Sequence, residues 1–300
     1  MRYAKPPLTF EEQADLLLGR GLLGDRATMI SRLQSVNYYR LSGYWHTMRD
    51  LASDPEGNPG HRFRAGSTFD DVWHRYVFDR QLRLLVMDAI ERIEVGVRSQ
   101  LAYHHAHRHG PFGYVMETGA LEPGARTRFL KKLNKELQRS HALFVRHFAD
   151  KYGDSHSLPP LWMAVEIVPF GGVLSLYEGC SDDIRGEVAR LFGVHHTVFD
   201  SWLVCLNTVR NICAHHERLW NRTLRNKPKI PAKAREWNEP SPIENNKVFS
   251  VLCICQWSLR RVAPQSRWHE RLFRLLEAFP SISRSSMGFV DDWRTRAMWQ

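Results

Sequence analysis

The hydrophobic positions recur at steps of three and four residues along almost the whole chain, which is the period of amphipathic α-helices. The strongest such segment opens at Thr68 and Asp71 and ends by Gly110-Pro111. Its apolar residues share one stripe and are Val72, Tyr76, Leu82, Leu85, Ala89, Ile90, Ile93, Val97 and Leu101. No series of alternating apolar and polar residues indicates a set of strands. The pattern therefore predicts an all-α protein.

Shorter helices are predicted before this long segment. Thr9 to Glu12 has the form of a capping box, and Gly19 is a typical helix end. A second helix is predicted to start near Asp25. These two helices place residues 1–66 in an N-terminal helical region.

Further helices are predicted after the long segment, at 124–150, 160–178, between Ser181 and Gly193, and at 197–219, 244–262 and 265–279. In the first of them, Leu130, Leu133, Leu137 and Phe148 are expected to face inward. Pro169 should kink or split the second. Segment 226–242 holds four prolines and is predicted to be a connector. The chain then divides into the N-terminal region, a helical core over 67–225, and the connector with C-terminal helices over 226–300.

The net charge of +10 and the pI of about 9.6 favour polyanionic binding partners, such as nucleic acids. A basic protein without a nucleic-acid partner is the alternative. The five cysteines show no disulfide framework, so we expect reduced, mostly buried thiols. The chain start lacks an apolar leader, and no stretch has the roughly 18 apolar residues of a membrane span. We therefore expect a cytoplasmic protein with no membrane partner.

The segment from Val209 to Arg222 is dense in residues that handle phosphates and follows an apolar helix. Four residues separate Arg210 from His215, but the same spacing joins Arg190 and His195, so the spacing alone is weak. Asn211 and His215 share a helix face. Arg210 is offset from His215 by about 140° around an ideal helix, and its long side chain is able to reach a phosphate held there. The alternative is a polar helix end with His215 near the negative pole of the helix dipole.

Other polar clusters have two interpretations each. Glu94 and Arg98 fit a structural ion pair, or a supporting role beside the motif. The tract His104–His109, and Cys213 with His215 and His216, are too loose for the paired spacings of a zinc site, so we expect no metal and no cofactor.

Two further groups have the residue types that bind nucleic acid. An aromatic cluster beside Arg40 fits either base stacking or core packing, and consists of Tyr38, Tyr39, Tyr44 and Trp45. A basic group at helical spacing fits either a phosphate track or a solvated face, and consists of Lys131, Lys132, Lys135 and Arg139.

The motif Arg-Asn-Ile-Cys-Ala-His-His at 210–216 resembles the core of the Abi (AbiD/AbiF-like) abortive-infection proteins, part of the HEPN superfamily of helical ribonucleases. Three other stretches are similar to the same family: Val36–Trp45, Phe78–Arg83 continued through Arg92–Arg98, and Leu158–Glu166. The resemblance runs from about residue 5 to about residue 225. It implies a HEPN-like helical bundle with additional N- and C-terminal helices.

The resemblance also implies an activity: metal-independent RNA cleavage in antiphage defence, leaving a 2′,3′-cyclic phosphate and a 5′-hydroxyl. His215 would move protons, Arg210 would stabilise the developing charge, and Asn211 would orient His215 or bind a phosphate oxygen. His216 would be a neighbour or capping group. A homodimer with facing motifs, and an RNA or protein antitoxin, are implied as partners.

Two rival functions stay open at this stage. One is a non-catalytic RNA-binding or sensor module on the same scaffold, because phosphate contacts need the same residue types. The other is a DNA-binding regulator, which the lack of a clear helix-turn-helix signature disfavours.

Overall fold

Thirteen α-helices and no β-strand are found in the residues that the computed structural model describes, 6–50, 62–117 and 119–300. The chain start on which the expectation about a leader rests, residues 1–5, lies outside them. The helices are α1 Phe10–Gly19, α2 Arg26–Ser35, α3 Tyr38–Trp45, α4 Phe69–His109, α5 Pro123–Leu137, α6 Leu143–Tyr152, α7 Leu161–Ile167, α8 Phe170–Gly179, α9 Asp182–Leu191, α10 His196–Ala214, α11 Arg235–Asn238, α12 Val248–Val262 and α13 Trp268–Ala278. The all-α prediction is confirmed, and none of these helices is long and apolar enough to cross a membrane.

The chain forms two units. The first comprises Met1–Leu82 with Leu275–Ile282, and the second Arg83–Arg274 with Ser283–Gln300. Helices α4 and α13 each contribute residues to both. The division into 1–66, 67–225 and 226–300 stays a prediction.

In the first unit, the predicted caps are the observed ones. Thr9 and Glu12 form the reciprocal capping box of α1, and the Asp25 side chain accepts the backbone N–H of Thr28 at the start of α2. Helix α3 was not predicted. It buries Tyr44 and Trp45 completely, and the Tyr44 hydroxyl donates to Asp79 of α4 at 2.6 Å. Core packing is therefore the observed role of these two rings, whereas Tyr39 is 85% exposed.

The second unit is built around α12, which is buried on every side from Val248 to Leu259. A helix that is apolar all round is stable only inside a core. Helix α10 packs against α8, α9 and α12, and α5 packs against α8. A Cβ on Gly179 of α8 would lie 2.8 Å from the Ala125 Cβ of α5, so this close approach requires glycine. All five cysteines are buried, as expected.

The predicted helix over 124–150 is wrong in its extent, because two helices, α5 and α6, occupy that range. The Ser140 side chain accepts the Ala142 backbone N–H at 3.2 Å, and such a local turn competes with helical hydrogen bonds. Of the four residues expected to face inward, Leu133 alone is buried. Phe129 and Leu133 are fully buried, whereas Leu130, Leu137 and Phe148 are only partly covered.

The split at Pro169 is confirmed, since α7 ends at Ile167 and α8 begins at Phe170. The predicted helix over 197–219 is too long, because α10 ends at Ala214. Leu219 and Trp220 prolonged the apolar pattern because they are buried, but they belong to the chain that follows the helix. Helix α10 therefore ends within the motif at 210–216.

Candidate functional site

Helix α10 carries the motif at its C-terminal end. Its buried residues recur at helical spacing through Phe199, Leu203, Leu206 and Val209, and they fix the helix against the core. Arg210 follows on the edge of this buried stripe and is half-buried, whereas Asn211 is exposed. The motif therefore begins where a rigid, packed helix meets solvent.

The helix ends in a double hydrogen-bonded turn with a histidine at the position that usually holds glycine. The backbone N–H of His216 donates to the Cys213 carbonyl at 3.1 Å, and that of Glu217 donates to the Ile212 carbonyl at 2.9 Å. This is the Schellman pattern, and it places His216 in the left-handed region with φ of 58°. A residue with a side chain is strained in this conformation. His215, the last residue before the turn, is thus held exposed at the helix end.

A pair of substitutions at His216 measures the strain of this turn. We expect His216→Gly to be more stable to unfolding than His216→Ala by about 1 kcal/mol, because only alanine places a Cβ at positive φ. Both variants lose the imidazole, so the difference isolates the backbone. Urea unfolding followed by circular dichroism measures it. Equal stability of the two would show that residue 216 is not left-handed.

Arg210 faces the long helix α4. It lines an open groove of about 480 Å³, here called the Arg210 groove. The other lining residues all come from one stretch of α4 and are Leu84, Met87, Asp88, Ile90, Glu91, Glu94 and Val95. Among the residues described, none makes a hydrogen bond or ion pair with the Arg210 guanidinium. Its forked donors are therefore available to a ligand.

The carboxylates of the Arg210 groove are largely neutralised by arginines. Asp88 pairs with Arg92 at 2.9 Å and also with Arg271, and Glu94 pairs with Arg98. Glu91 is exposed and has no ion-pair partner in the described part of the chain. Arg210 and Glu91 are then the two charged groups of the groove that are not paired, one positive and one negative. The groove therefore does not strongly repel a phosphate.

Asn211 points elsewhere. It lines a second hollow of about 320 Å³, here called the Asn211 pocket, bounded by α10 and the chain after it. Its other lining residues are Cys205, Thr208, Val209, Ile212, Glu217, Arg222, Thr223, Leu224, Arg225 and Asn226. The Arg222 guanidinium pairs with Glu217 at 2.8 Å, and the Asn226 amide donates to the Thr208 hydroxyl at 2.7 Å.

The sequence pattern did not indicate that Arg225 and Asn226 belong beside the motif. The sequence feature that could have indicated it is the apolar pair Leu219 and Trp220. Both are buried, and apolar residues that are buried just after a helix end bring the following chain back against that helix.

The structure thus brings the three motif residues to one helix end but not into one cavity. Arg210 opens onto the Arg210 groove and Asn211 onto the Asn211 pocket, while His215 lines neither of the two. An exposed imidazole is a group that can accept or donate a proton, and an unengaged guanidinium is one that can donate hydrogen bonds to an anion.

Glu94 and Arg98 form the structural pair that their spacing suggested. Arg98 is buried, contacts Glu94, and donates to the Val165 carbonyl and, at 2.9 Å, to the Val168 carbonyl. These two carbonyls lie at the C-terminal end of α7, where helical partners are missing. Arg98 therefore joins α4 to α7, and only Glu94 of the pair reaches the Arg210 groove.

The basic residues predicted to contact RNA divide into two groups. Lys131, Lys135 and Arg139 are exposed, as is Arg40 on α3. Lys132 instead donates to the Gly171 carbonyl at 2.5 Å and the Ser175 hydroxyl at 2.9 Å of α8, and burial lowers the pKa of its ammonium. The charge of Lys132 is already used inside the protein.

The histidine tract at the end of α4 contains one core residue. His105 is fully buried, its ring lies 5.0 Å from that of His109, and burial lowers its pKa to about 4. It is therefore neutral near pH 7. Within the described ranges, no three His, Cys, Asp or Glu side chains are grouped so as to hold a metal ion.

The comparisons with known proteins bear on this region. A family model described as Abi-like protein matches residues 31–221, which include the Arg210 groove and the end of α10. No curated protein and no solved structure gives a match.

Proposed function

The chain belongs to the Abi-like protein family, whose name indicates abortive infection, and from this premise we propose that it is a metal-independent endoribonuclease acting as an RNA-cleaving toxin in antiphage defence. The observation that carries the proposal is the end of α10. There, an unengaged Arg210 and an exposed His215 lie on one rigid helix within the family-matched segment. The HEPN resemblance of this segment supports the same reaction.

The proposed reaction needs only side-chain chemistry. His215 takes the proton of a ribose 2′-hydroxyl, whose oxygen then bonds to the adjacent phosphorus. The bond from phosphorus to the 5′-oxygen breaks, and that oxygen receives a proton from a water molecule, whose hydroxide then takes up the proton held by His215. Arg210 stabilises the charge that grows on the phosphoryl oxygens. The products are a 2′,3′-cyclic phosphate and a 5′-hydroxyl.

In this proposal a homodimer completes the site, because each active centre draws its groups from both chains. The Arg210 groove is bordered by apolar side chains that solvent otherwise reaches, with Leu84 61% exposed and Val95 58% exposed. Large exposed apolar residues around a charged centre are typical of a protein interface. Two copies related by a twofold axis would bring two motifs together, so that Arg210 and His215 of different chains share a site.

Mixing two inactive variants tests this composite site. We expect Arg210→Ala and His215→Ala chains, refolded or co-expressed together, to regain about a quarter of the wild-type activity, because half of the dimers are mixed and each has one intact site. The measurement is cleavage rate against mixing ratio. Each variant alone is the control, and a mixture as inactive as its components would contradict a site shared between chains.

The experiment that tests the function itself is end mapping. Purified protein is incubated with total RNA in EDTA, and the new ends are identified chemically. The proposal expects cyclic phosphate and 5′-hydroxyl ends. Activity that disappears in EDTA and returns with a divalent metal would require the histidine clusters to be reinterpreted as ligands.

A second candidate function is a non-catalytic RNA-binding or sensor module. The observation that favours it is that Arg210 and Asn211 open onto two different hollows and His215 lines neither, so the three residues do not share one cavity. RNA binding without new ends in the same assay would support it. For the endoribonuclease, an RNA or protein antitoxin is the proposed inhibitor, and the basic charge favours RNA.

A further inference from the structure

Helix α6 has no buried residue over its ten positions. It is nevertheless amphipathic. At 100° per residue, its apolar residues Phe144, Val145, Phe148, Ala149 and Tyr152 fall on one side. Leu143 lies on the opposite side with Arg146, His147 and Asp150. A helix whose apolar side is only partly covered within its own chain is available for an external ligand.

Three aromatic rings follow each other along this side at intervals of four residues. Phe144 is 40% exposed and Tyr152 is 44% exposed, while Phe148 is partly covered. The Phe148 and Tyr152 ring centroids are 5.5 Å apart, and the Lys151 ammonium lies 5.3 Å from the Tyr152 ring. The three rings and Lys151 are called the α6 aromatic stripe below.

The chain leading to and through α6 holds most of the net charge. Residues 126–152 contain eight Lys or Arg and two acidic residues, a net +6 of the total +10. Some of these cations are engaged internally, such as Lys132 with α8 and Arg126 with the Val115 carbonyl. Lys131, Lys135 and Arg139 are exposed, and none has an ion-pair partner in the described part of the chain.

We propose that α6 and the exposed cations in and just after α5 form a docking site for single-stranded RNA, with bases stacked on the α6 aromatic stripe and phosphates held by Lys131, Lys135 and Arg139. Exposed rings beside cations are the usual chemistry of single-strand binding. Positions four apart on a helix are separated by about 6 Å. Stacked bases in a duplex are only about 3.4 Å apart, so the spacing suits bases that are already unstacked.

This inference rests on the proposed function in that it names the substrate as single-stranded RNA and gives it a binding site away from the end of α10. The two are nevertheless tested separately. Binding is measured in the full-length Arg210→Ala chain, in which cleavage is slowed by about 10²–10³. Failure of the docking site would leave end mapping unaffected, and failure of cleavage would leave the binding data valid.

The experiment uses fluorescence anisotropy with a labelled 20-nucleotide single-stranded RNA and a duplex of equal length, across a range of salt. We expect Phe144→Ala and Tyr152→Ala each to weaken single-strand binding by about 5- to 150-fold with an unchanged salt slope, because a stacked base is lost but no phosphate contact. Lys131→Ala and Lys135→Ala should instead each reduce the slope by about 0.7. These side chains are exposed, so the substitutions leave the fold intact.

Leu143→Ala is the matched control, since it removes an apolar residue, 78% exposed, from the other side of the same helix. It should bind as the parent does. Three outcomes would overturn the proposal: ring variants that bind like the Leu143 control, a duplex that binds as tightly as the single strand, or ring variants that lose only binding to vesicles of anionic lipid.

Discussion

Replacing either His215 or Arg210 with alanine is expected to abolish RNA cleavage, and any toxicity in cells, while the protein remains folded. Loss of a positioned proton-transfer group costs about 10²–10⁴ in rate, which is the expected effect of His215→Ala. Arg210 contacts charge that develops only in the transition state, so Arg210→Ala should lower turnover by about 10²–10³ and RNA affinity much less.

The structure supports the expectation that these two variants fold. His215 is exposed, and the half-buried Arg210 makes no hydrogen bond or ion pair with any described residue, so neither substitution leaves a polar partner unsatisfied.

Single-turnover cleavage and filter binding together separate effects on the cleavage rate from effects on RNA affinity. Arg190→Ala is a matched control, because Arg190 has the same spacing to a histidine, His195, and the two line a hollow that contains neither Arg210 nor His215. His216→Ala should be milder than His215→Ala. A His215→Ala protein that cuts RNA at the wild-type rate would refute the catalytic assignment.

The second large effect is expected at Arg98, on stability. Arg98→Ala should lower the free energy of unfolding by about 3–5 kcal/mol, because it leaves the Glu94 carboxylate buried without its partner. The side chains of Arg98 and Glu94 are only 10% and 14% exposed, so water replaces the lost contact only in part. The Val165 and Val168 carbonyls at the end of α7 lose their donor as well.

Chemical unfolding measures this effect, and an exposed ion pair provides the control. Arg190 pairs with Glu187 at 2.7 Å with its side chain 75% exposed, so Arg190→Ala should cost less than about 1 kcal/mol. Arg98→Lys should recover only part of the stability, since an ammonium is not a planar fork able to reach three acceptors. A folded Arg98→Ala protein of normal stability that lacks cleavage would instead support the catalytic supporting role of Arg98.

Local patterns in the sequence were enough to predict the fold class and several helix boundaries. Thr9, Asp25 and Pro169 act on backbone groups within a few residues of themselves, so their effects appear at the predicted places. The period of α4 was equally clear, because its length averages out local exceptions. The motif at 210–216 could be located for a different reason, namely its resemblance to a family, which the match over 31–221 bears out.

Contacts between distant parts of the chain decided the rest. Only the folded chain shows that Lys132 is held by α8 and Arg98 by the end of α7, since their partners lie 39 and about 70 residues away. The same holds for the end of α10, where buried Leu219 and Trp220 fold the chain back and Arg210 and Asn211 open onto different hollows. The sequence identified the residue types able to act on a phosphate. The tertiary structure decided which of them keep their charges available, because that depends on which acceptors packing brings within hydrogen-bond distance.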